Sequence, residues 1–430
     1  MYWCKAIAVI ALFLAGCSNK AAINANKVQI YNNVDVNTTV YLETFNAFYL
    51  VGDEQNASAI RKFYEIYKIT NDISYLKEAL KLAFVTKDEM LDKLMNEAKI
   101  HINDDLDILR MQIGYFVSTY DINSAKSLAN ELIKKDGKNA TNYAILGGVY
   151  IFSDEPKKAL NAFKKAYELD ASENNLLKLV DVLENKFDNT KAAIKYLEDW
   201  IYENGCSKPA CFTLLNLYSS SGELDSMVEL YEELYKAFRE VEFLEKELEI
   251  LVYKKDFVNA KRILEEYGFN NLALIEIYSH LNEFEHAYAL SQKIYQETKN
   301  PEFLAKMAVY KYEKNGKNTG KFELSMVARL FEESVYVLNS GVYYNYYGYL
   351  LIDHDMDIKK GLELVKKAYE LEPNSPYIID SIAWGYYKLG NCTEAKIWLD
   401  KIRDDTKFMN TKEAKYHKIA IDKCYKKGKR

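Results

Sequence analysis

The sequence predicts an all-α protein built as a row of helix pairs. Three observations lead to this fold class. The 430 residues include only five prolines and seventeen glycines, too few for an all-β fold with its many turns. Apolar and small residues recur at intervals of three and four, the spacing of one helix face. The same arrangement returns at steps of 34 residues along much of the chain, which indicates internal repeats.

The start of the chain has the pattern of an export signal. Lys5 precedes an apolar run, Ala6 to Ala15, that is too short to span a bilayer and ends in Leu14-Ala15-Gly16-Cys17. This ending resembles the lipobox of bacterial lipoproteins. The resemblance implies that residues 1–16 are removed as a signal peptide and that the thiol of Cys17 carries a diacylglycerol. An ordinary secretory signal with a chance cysteine is the alternative.

The segment after the cysteine predicts a tether to the membrane. Residues 17–37 are polar, rich in asparagine and without helical periodicity, so we expect the lipidated Cys17 and a flexible linker. Ser18 follows the cysteine; in Gram-negative lipoproteins an aspartate there usually retains the protein in the inner membrane. The resemblance therefore implies an outer-membrane lipoprotein facing the periplasm. Asn37 and Asn56 also fit a short bacterial N-glycosylation pattern, Asp/Glu-x-Asn-x-Ser/Thr.

The clearest repeat covers residues 140–173. A first helix carries large and small residues on one face, and a second helix carries small residues around an aromatic one. These residues are Tyr143, Leu146, Gly147 and Tyr150, followed by Ala159, Phe163 and Ala166. The arrangement resembles the tetratricopeptide repeat (TPR), in which small residues let two helices pack closely and large residues fill the space between them.

The repeat pattern extends over about nine-tenths of the chain. Units begin near residues 38, 72, 106, 140, 174 and 208, then less regularly near 241, 268 and 301, and again clearly at 341 and 376. We divide the chain into N-terminal repeats (38–240), degenerate repeats (241–340), and C-terminal repeats with a capping helix (341–430). The resemblance implies a right-handed α-solenoid of about eleven TPR-like helix pairs. An irregular all-α bundle is the alternative.

Four cysteines remain after Cys17, an even number that permits two disulfides in an exported protein. Cys206 and Cys211 flank a short segment between two predicted helices. Cys392 begins a helix, and Cys424 lies near the end of the capping helix. If those two helices are antiparallel, the sequence predicts the pairs Cys206–Cys211 and Cys392–Cys424. Reduced thiols and a metal site are the alternatives, although neither pair has the C-x₂-C spacing usual for zinc.

The sequence carries no recognisable catalytic motif, so we expect no enzymatic activity, no cofactor and no bound metal. Only five histidines are present. The segment Asp353-His354-Asp355-Met356-Asp357 could be mistaken for a metal cluster, but it falls in a turn between two repeat helices, where acidic residues favour the following helix N-terminus. A net charge of −6 lacks the basic footprint of a nucleic-acid-binding protein.

The candidate binding residues follow from the TPR resemblance, which assigns ligands to positions 2, 5, 9, 12 and 13 of each first helix. In the two C-terminal repeats this rule selects Asn345, Tyr349, Tyr377, Asp380, Trp384 and Tyr387, together with Val342, Ile352, Asp353 and Lys388. Aromatic rings with Asn and Asp between them suit the capture of a peptide. Packing of Trp384 inside the solenoid is the alternative, because interface and core aromatics look alike in sequence.

Together these features predict a membrane-anchored scaffold of the bacterial cell envelope that binds a peptide or partner protein on its concave face. Two alternatives stay open. The protein could be a pilotin-like assembly factor that escorts an outer-membrane or secreted client, or it could be a subunit of an envelope enzyme complex.

Overall fold

The computed structural model describes residues 36–428. The signal peptide, Cys17 and the tether up to residue 35 lie outside the described residues. Within them the chain forms 24 α-helices, two short 3-10 turns (Lys99–His101 and Gly316–Asn318) and no β-strand. None of the described helices is long and apolar enough to cross a membrane. The prediction of an all-α fold is confirmed.

The helices divide into two compact units, residues 36–200 and residues 201–428. The helices of the first unit are α1 (Val36–Gly52), α2 (Asn56–Thr70), α3 (Ile73–Thr86), α4 (Leu91–Ala98), α5 (Leu106–Ser118), α6 (Ile122–Lys135), α7 (Ala140–Phe152), α8 (Pro156–Leu169), α9 (Glu173–Phe187) and α10 (Thr190–Asn204), whose last residues belong to the second unit.

The second unit continues with a further series of helices. These are α11 (Lys208–Ser221), α12 (Leu224–Phe238), α13 (Val241–Tyr253), α14 (Phe257–Tyr267), α15 (Asn271–His280), α16 (Phe284–Thr298), α17 (Pro301–Glu313), α18 (Lys321–Leu338), α19 (Gly341–Asp353), α20 (Ile358–Leu371), α21 (Pro376–Lys388), α22 (Cys392–Asp400), α23 (Thr406–Met409) and α24 (Lys412–Gly428).

Twenty-two of the described helices, α1 to α22, form eleven successive TPR-like pairs, and α24 is the predicted C-terminal helix. The first helices begin within three residues of the predicted repeat starts, including the irregular ones at 241, 268 and 301. Within each unit, most helices adjacent in sequence pack on one another. Short connections keep neighbours together: α2 ends at Asn71 in the left-handed conformation (φ 53°), and α3 begins at once because the Asp72 carboxylate accepts a hydrogen bond from the Ser74 amide.

Glycines fix how closely the two helices of a pair approach. A Cβ atom at Gly348 in α19 would lie 2.7 Å from the carbonyl oxygen of Gly361 in α20, and a Cβ at Gly361 would lie 2.7 Å from the Gly348 oxygen. At Gly147 in α7, a Cβ would lie 2.8 Å from the ring of Phe163 in α8. Both contacts lie between the first and second helix of a repeat, where the sequence pattern places a small residue.

The structure joins the same cysteine pairs that the sequence predicts. Cys206 is bonded to Cys211 with Cα atoms 5.8 Å apart, and Cys392 is bonded to Cys424 with Cα atoms 5.5 Å apart. Because Cys392 begins α22 and Cys424 lies near the end of α24, these two helices run antiparallel. Oxidation of the four cysteines in the cell stays a prediction.

Glu247 in α13 is a carboxyl group placed inside the core of the second unit. Its side chain has no exposed surface, and neither carboxylate oxygen has a hydrogen-bond partner. The nearest cation, the Arg262 guanidinium, is 3.8 Å away and is already paired with Glu232 at 2.8 Å. Burial, with a smaller contribution from the Glu232 charge, raises the pKa of Glu247 to about 7.

The contact at Gly147 predicts a large difference between two neighbouring glycines. Gly147→Ala should lower the free energy of unfolding by about 1–3 kcal/mol, because the new methyl group displaces the Phe163 ring. Gly148→Ala, at a position with open space in the same helix, should be neutral or stabilising by up to about 1 kcal/mol. Chemical denaturation of both variants checks this, and equal effects would contradict the packing argument.

The buried carboxyl predicts a pH-dependent effect of Glu247→Gln. Since the folded pKa of Glu247 lies above the unfolded value, the folded state binds the proton more tightly, and stability is lost as pH rises from about 4.5 to about 7. Glu247→Gln should therefore raise the free energy of unfolding by about 1–3 kcal/mol at pH 8 and by less than about 1 kcal/mol at pH 5. The control is Glu249→Gln, an exposed carboxylate on the same helix that pairs with Lys246, which should change stability by less than about 0.5 kcal/mol at both pH values. A pH-independent effect of Glu247→Gln would contradict the assignment.

Candidate functional site

A cavity of about 570 Å³ lies among the C-terminal helix pairs, entirely within the second unit. Its walls come from the first helices of three successive repeats, α17, α19 and α21, and from the segment that follows the last repeat. Its volume is in the range of pockets that hold small molecules or side chains of a partner. The cavity is therefore a candidate binding site within the described residues.

Of the six candidate residues named first, four line this cavity; of the other four, Val342 lines it, whereas Ile352, Asp353 and Lys388 do not. Asn345 and Tyr349 enter from α19, and Tyr377 and Asp380 enter from α21. The ring of Tyr377 is 61% exposed and lies at the rim, whereas Asp380 is only 3% exposed and lies deep in the wall. The structure therefore brings these four side chains together as the repeat positions predict. Their part in binding stays a prediction.

The other two predicted residues, Trp384 and Tyr387, lie outside the cavity. The Trp384 side chain is 3% exposed, and its ring is stacked between the His417 ring, with centroids 4.0 Å apart, and the Tyr387 ring, at 4.7 Å. Its indole N–H donates to the Asp353 carboxylate at 3.0 Å. Trp384 is thus a core residue with a satisfied polar group, the alternative that the sequence left open.

Helix α24 is the element that buries Trp384. His417 of α24 is fully buried, and its Nδ1 lies 2.7 Å from Oδ2 of Asp380. The remaining polar atoms of this pair, Nε2 of His417 and Oδ1 of Asp380, have no hydrogen-bond partner. Two turns further along α24, the Cys424 disulfide and an ion pair between Asp422 and Lys396 at 3.1 Å hold the helix against α22.

The C-terminal segment also forms part of the cavity wall. Phe408 of the short helix α23 makes an edge contact with the Tyr377 ring, with centroids 5.0 Å apart. Glu413, at the start of α24, accepts a hydrogen bond from the Tyr349 hydroxyl across 64 residues of sequence. The predicted capping helix therefore does more than cover the last repeat, because it closes one side of the cavity.

Several lining residues were not selected from the sequence. Tyr312 and Glu313 occupy positions 12 and 13 of the repeat that begins at 301, so the position rule would have found them if it had been applied to that irregular unit. Gly316 and Lys317 belong to the insertion at residues 315–323, for which the repeat pattern gives no position.

The ionisable groups of the cavity indicate a negative electrostatic environment. Partial desolvation raises the pKa of Glu313, and the nearby Glu413 charge raises it further. Burial, followed by the Glu413 and Asp353 charges, also raises the pKa of the Tyr349 hydroxyl well above its usual range. Besides burial, the negative charge of neighbouring carboxylates thus raises the pKa of both groups.

The acidic turn at residues 353–357 has structural roles. Asp353 accepts from Trp384, Asp355 pairs with Lys388 at 2.8 Å, and the Asp357 carboxylate caps α20 by accepting from the Lys360 amide. His354 lies 3.1 Å from the Tyr312 hydroxyl, and burial lowers its pKa. No cluster of three or more potential metal ligands occurs in the described part of the chain.

Comparison with known proteins finds a partial sequence likeness and distant solved structures. No family model matches the sequence. A stretch of 115 residues, 27% of this chain, is 29% identical to the transcription factor tau 131 kDa subunit of Saccharomyces cerevisiae and spans 11% of that protein. The chain therefore corresponds to about a tenth of the length of this curated relative.

Solved structures similar to this chain are distant. PilF of Pseudomonas aeruginosa is 13% identical over 50% of this chain and 98% of its own, with a TM-score of 0.37. Cut9 of the APC/C Cut9–Hcn1 hetero-tetramer is 12% identical over 91% of this chain and 84% of its own, with a TM-score of 0.34. YrrB, a TPR protein with an unusual peptide-binding site, is 19% identical over 43% of this chain and 91% of its own, with a TM-score of 0.30.

Proposed function

We propose that this protein is a non-catalytic binding protein of the cell envelope that holds a segment of a partner protein in the cavity of its second unit. The observation that carries the proposal is the cavity itself, about 570 Å³ in volume and bordered by the first helices of three successive repeats. The TPR resemblance assigns ligands to these helices. Aromatic side chains with a few polar groups among them are the usual composition of a recognition pocket.

The anchoring part of the proposal rests on the sequence. The lipobox-like Leu14-Ala15-Gly16-Cys17 and the polar segment after it would attach the helical units to a membrane and hold them away from its surface. The outer membrane facing the periplasm is the compartment that Ser18 favours. A binding role there would be that of a scaffold, which keeps its partner at the membrane and associates with it in a fixed ratio.

Photo-crosslinking in the native host tests the docking site. A photoreactive amino acid at Tyr377 or Val342, both exposed and lining the cavity, should give one dominant protein adduct. The same probe at Tyr253, an exposed tyrosine of the same unit that does not line the cavity, is the control and should not give that adduct. Absence of an adduct from both cavity positions, or an equal adduct from Tyr253, would contradict the proposed site.

Substitution of the lipobox cysteine tests the anchor. Cys17→Ala should move most of the protein from the membrane fraction and leave residues 1–16 uncleaved, because the acyl chains supply the membrane affinity. Cys4→Ala, in the segment expected to be removed, is the control and should leave both properties unchanged. Mass spectrometry of the N-terminal peptide gives the readout. A membrane-bound, normally processed Cys17→Ala protein would contradict lipidation at this residue.

A further inference from the structure

The cavity walls carry an excess of negative charge. Four carboxyl groups line the cavity, from Glu313, Glu372, Asp380 and Glu413, against one ammonium group, that of Lys317. Lys317 is already engaged, since its Nζ lies 3.5 Å from the Asp353 carboxylate and over the Tyr416 ring. Among the described residues, the three glutamates of the cavity have no lysine or arginine partner. An occupant of positive charge would therefore complement the site.

Unused hydrogen-bond acceptors point in the same direction. Asp380 is only 3% exposed, and its Oδ1 has no partner although Oδ2 is bound to His417. The Oδ1 atom of Asn345, on the neighbouring wall, is also buried and without a partner. A buried acceptor without a donor costs free energy, so an occupant that supplies N–H groups would stabilise the site. The ammonium of lysine and the guanidinium of arginine are donors without any acceptor.

The aromatic part of the lining suits the rest of such an occupant. Tyr312, Tyr346, Tyr349 and Tyr377 line the cavity, together with Phe408. Aromatic faces attract cations and also pack against the methylene stem of a long side chain. The cavity thus offers apolar surface for the stem and carboxylates for the charged end.

We propose that the cavity binds a lysine or arginine side chain presented by the partner protein, with the acidic groups of α17, α21 and α24 around its charged end. This inference rests on the proposed docking function and adds the chemical class that the site selects. Because the walls hold more carboxylates than ammonium groups, the partner segment that enters the cavity is basic.

Two double variants are compared. One removes two negative charges from the cavity, and the control removes two negative charges elsewhere. Glu313→Gln with Glu413→Gln keeps the size of both side chains, and the amide oxygen introduced at position 413 can still accept a hydrogen bond from the Tyr349 hydroxyl. Glu363→Gln with Glu370→Gln changes the net charge equally at two exposed positions of α20 outside the cavity. Comparing the two pairs separates local recognition from the general charge of the protein. Circular dichroism and the melting temperature establish that each variant is folded.

Binding to a positional-scanning library of acetylated, amidated hexapeptides tests the proposal with the full chain purified in detergent. We expect selection of lysine or arginine in at least one position, affinity that falls about tenfold or more in the cavity double variant, and less than about twofold change in the control. Selection of acidic or apolar residues, equal losses in both double variants, or binding of no peptide would overturn the inference. The crosslinking at Tyr377 decides separately whether the cavity is a docking site, so the two failures are distinguishable.

Discussion

The close approach of two helices across a small residue is the contact on which the rest of this structure depends. Where Gly348 faces Gly361, the backbones of α19 and α20 are so near that neither position has room for a methyl group. Gly147 serves the same purpose beneath the Phe163 ring. In these two repeats the packing sets the distance between the first and second helix of the pair. Stacking of successive pairs then places the first helices of neighbouring repeats side by side. The cavity of the second unit exists because three such helices stand in a row.

The C-terminal helix changes what this row of helices presents. In a plain stack, residues at the ligand-facing positions of the last repeat would lie open. Helix α24 instead covers Trp384 with His417 and leaves Val342 of α19 and Tyr377 of α21 exposed. The Cys392–Cys424 bond and the Lys396–Asp422 pair fix the helix where it does this. The segment that ends the repeats therefore also limits the size of the site and supplies one of its charges, Glu413.

Two buried carboxyl groups of the second unit, those of Glu247 and Asp380, differ in their surroundings. Glu247 of α13 lies in the core and does not line the cavity. A ligand bound in the cavity would therefore not reach its carboxyl group. Asp380 is also buried but lines the cavity, and one of its oxygens is held by His417 while the other has no partner. Only Asp380 can therefore accept a hydrogen bond from a molecule in the cavity without unfolding of the core. Glu247 affects stability alone.

The sequence by itself determined the helical class and the number of repeats. It also named the two cysteine pairs and five residues that line the cavity, whose roles stay predictions. The class and the repeat number follow from local spacing, because a helix face repeats every three to four residues and a TPR-like unit repeats every 34. The cavity residues came from the TPR resemblance, and the pair Cys392–Cys424 depended on the assumption that two helices are antiparallel. Only the tertiary structure decided that Trp384 is core, that Glu413 meets Tyr349, and that Lys317 from the insertion joins the site. These depend on where α24 and the insertion pack, which is set by contacts between residues far apart in sequence and leaves no periodic signal.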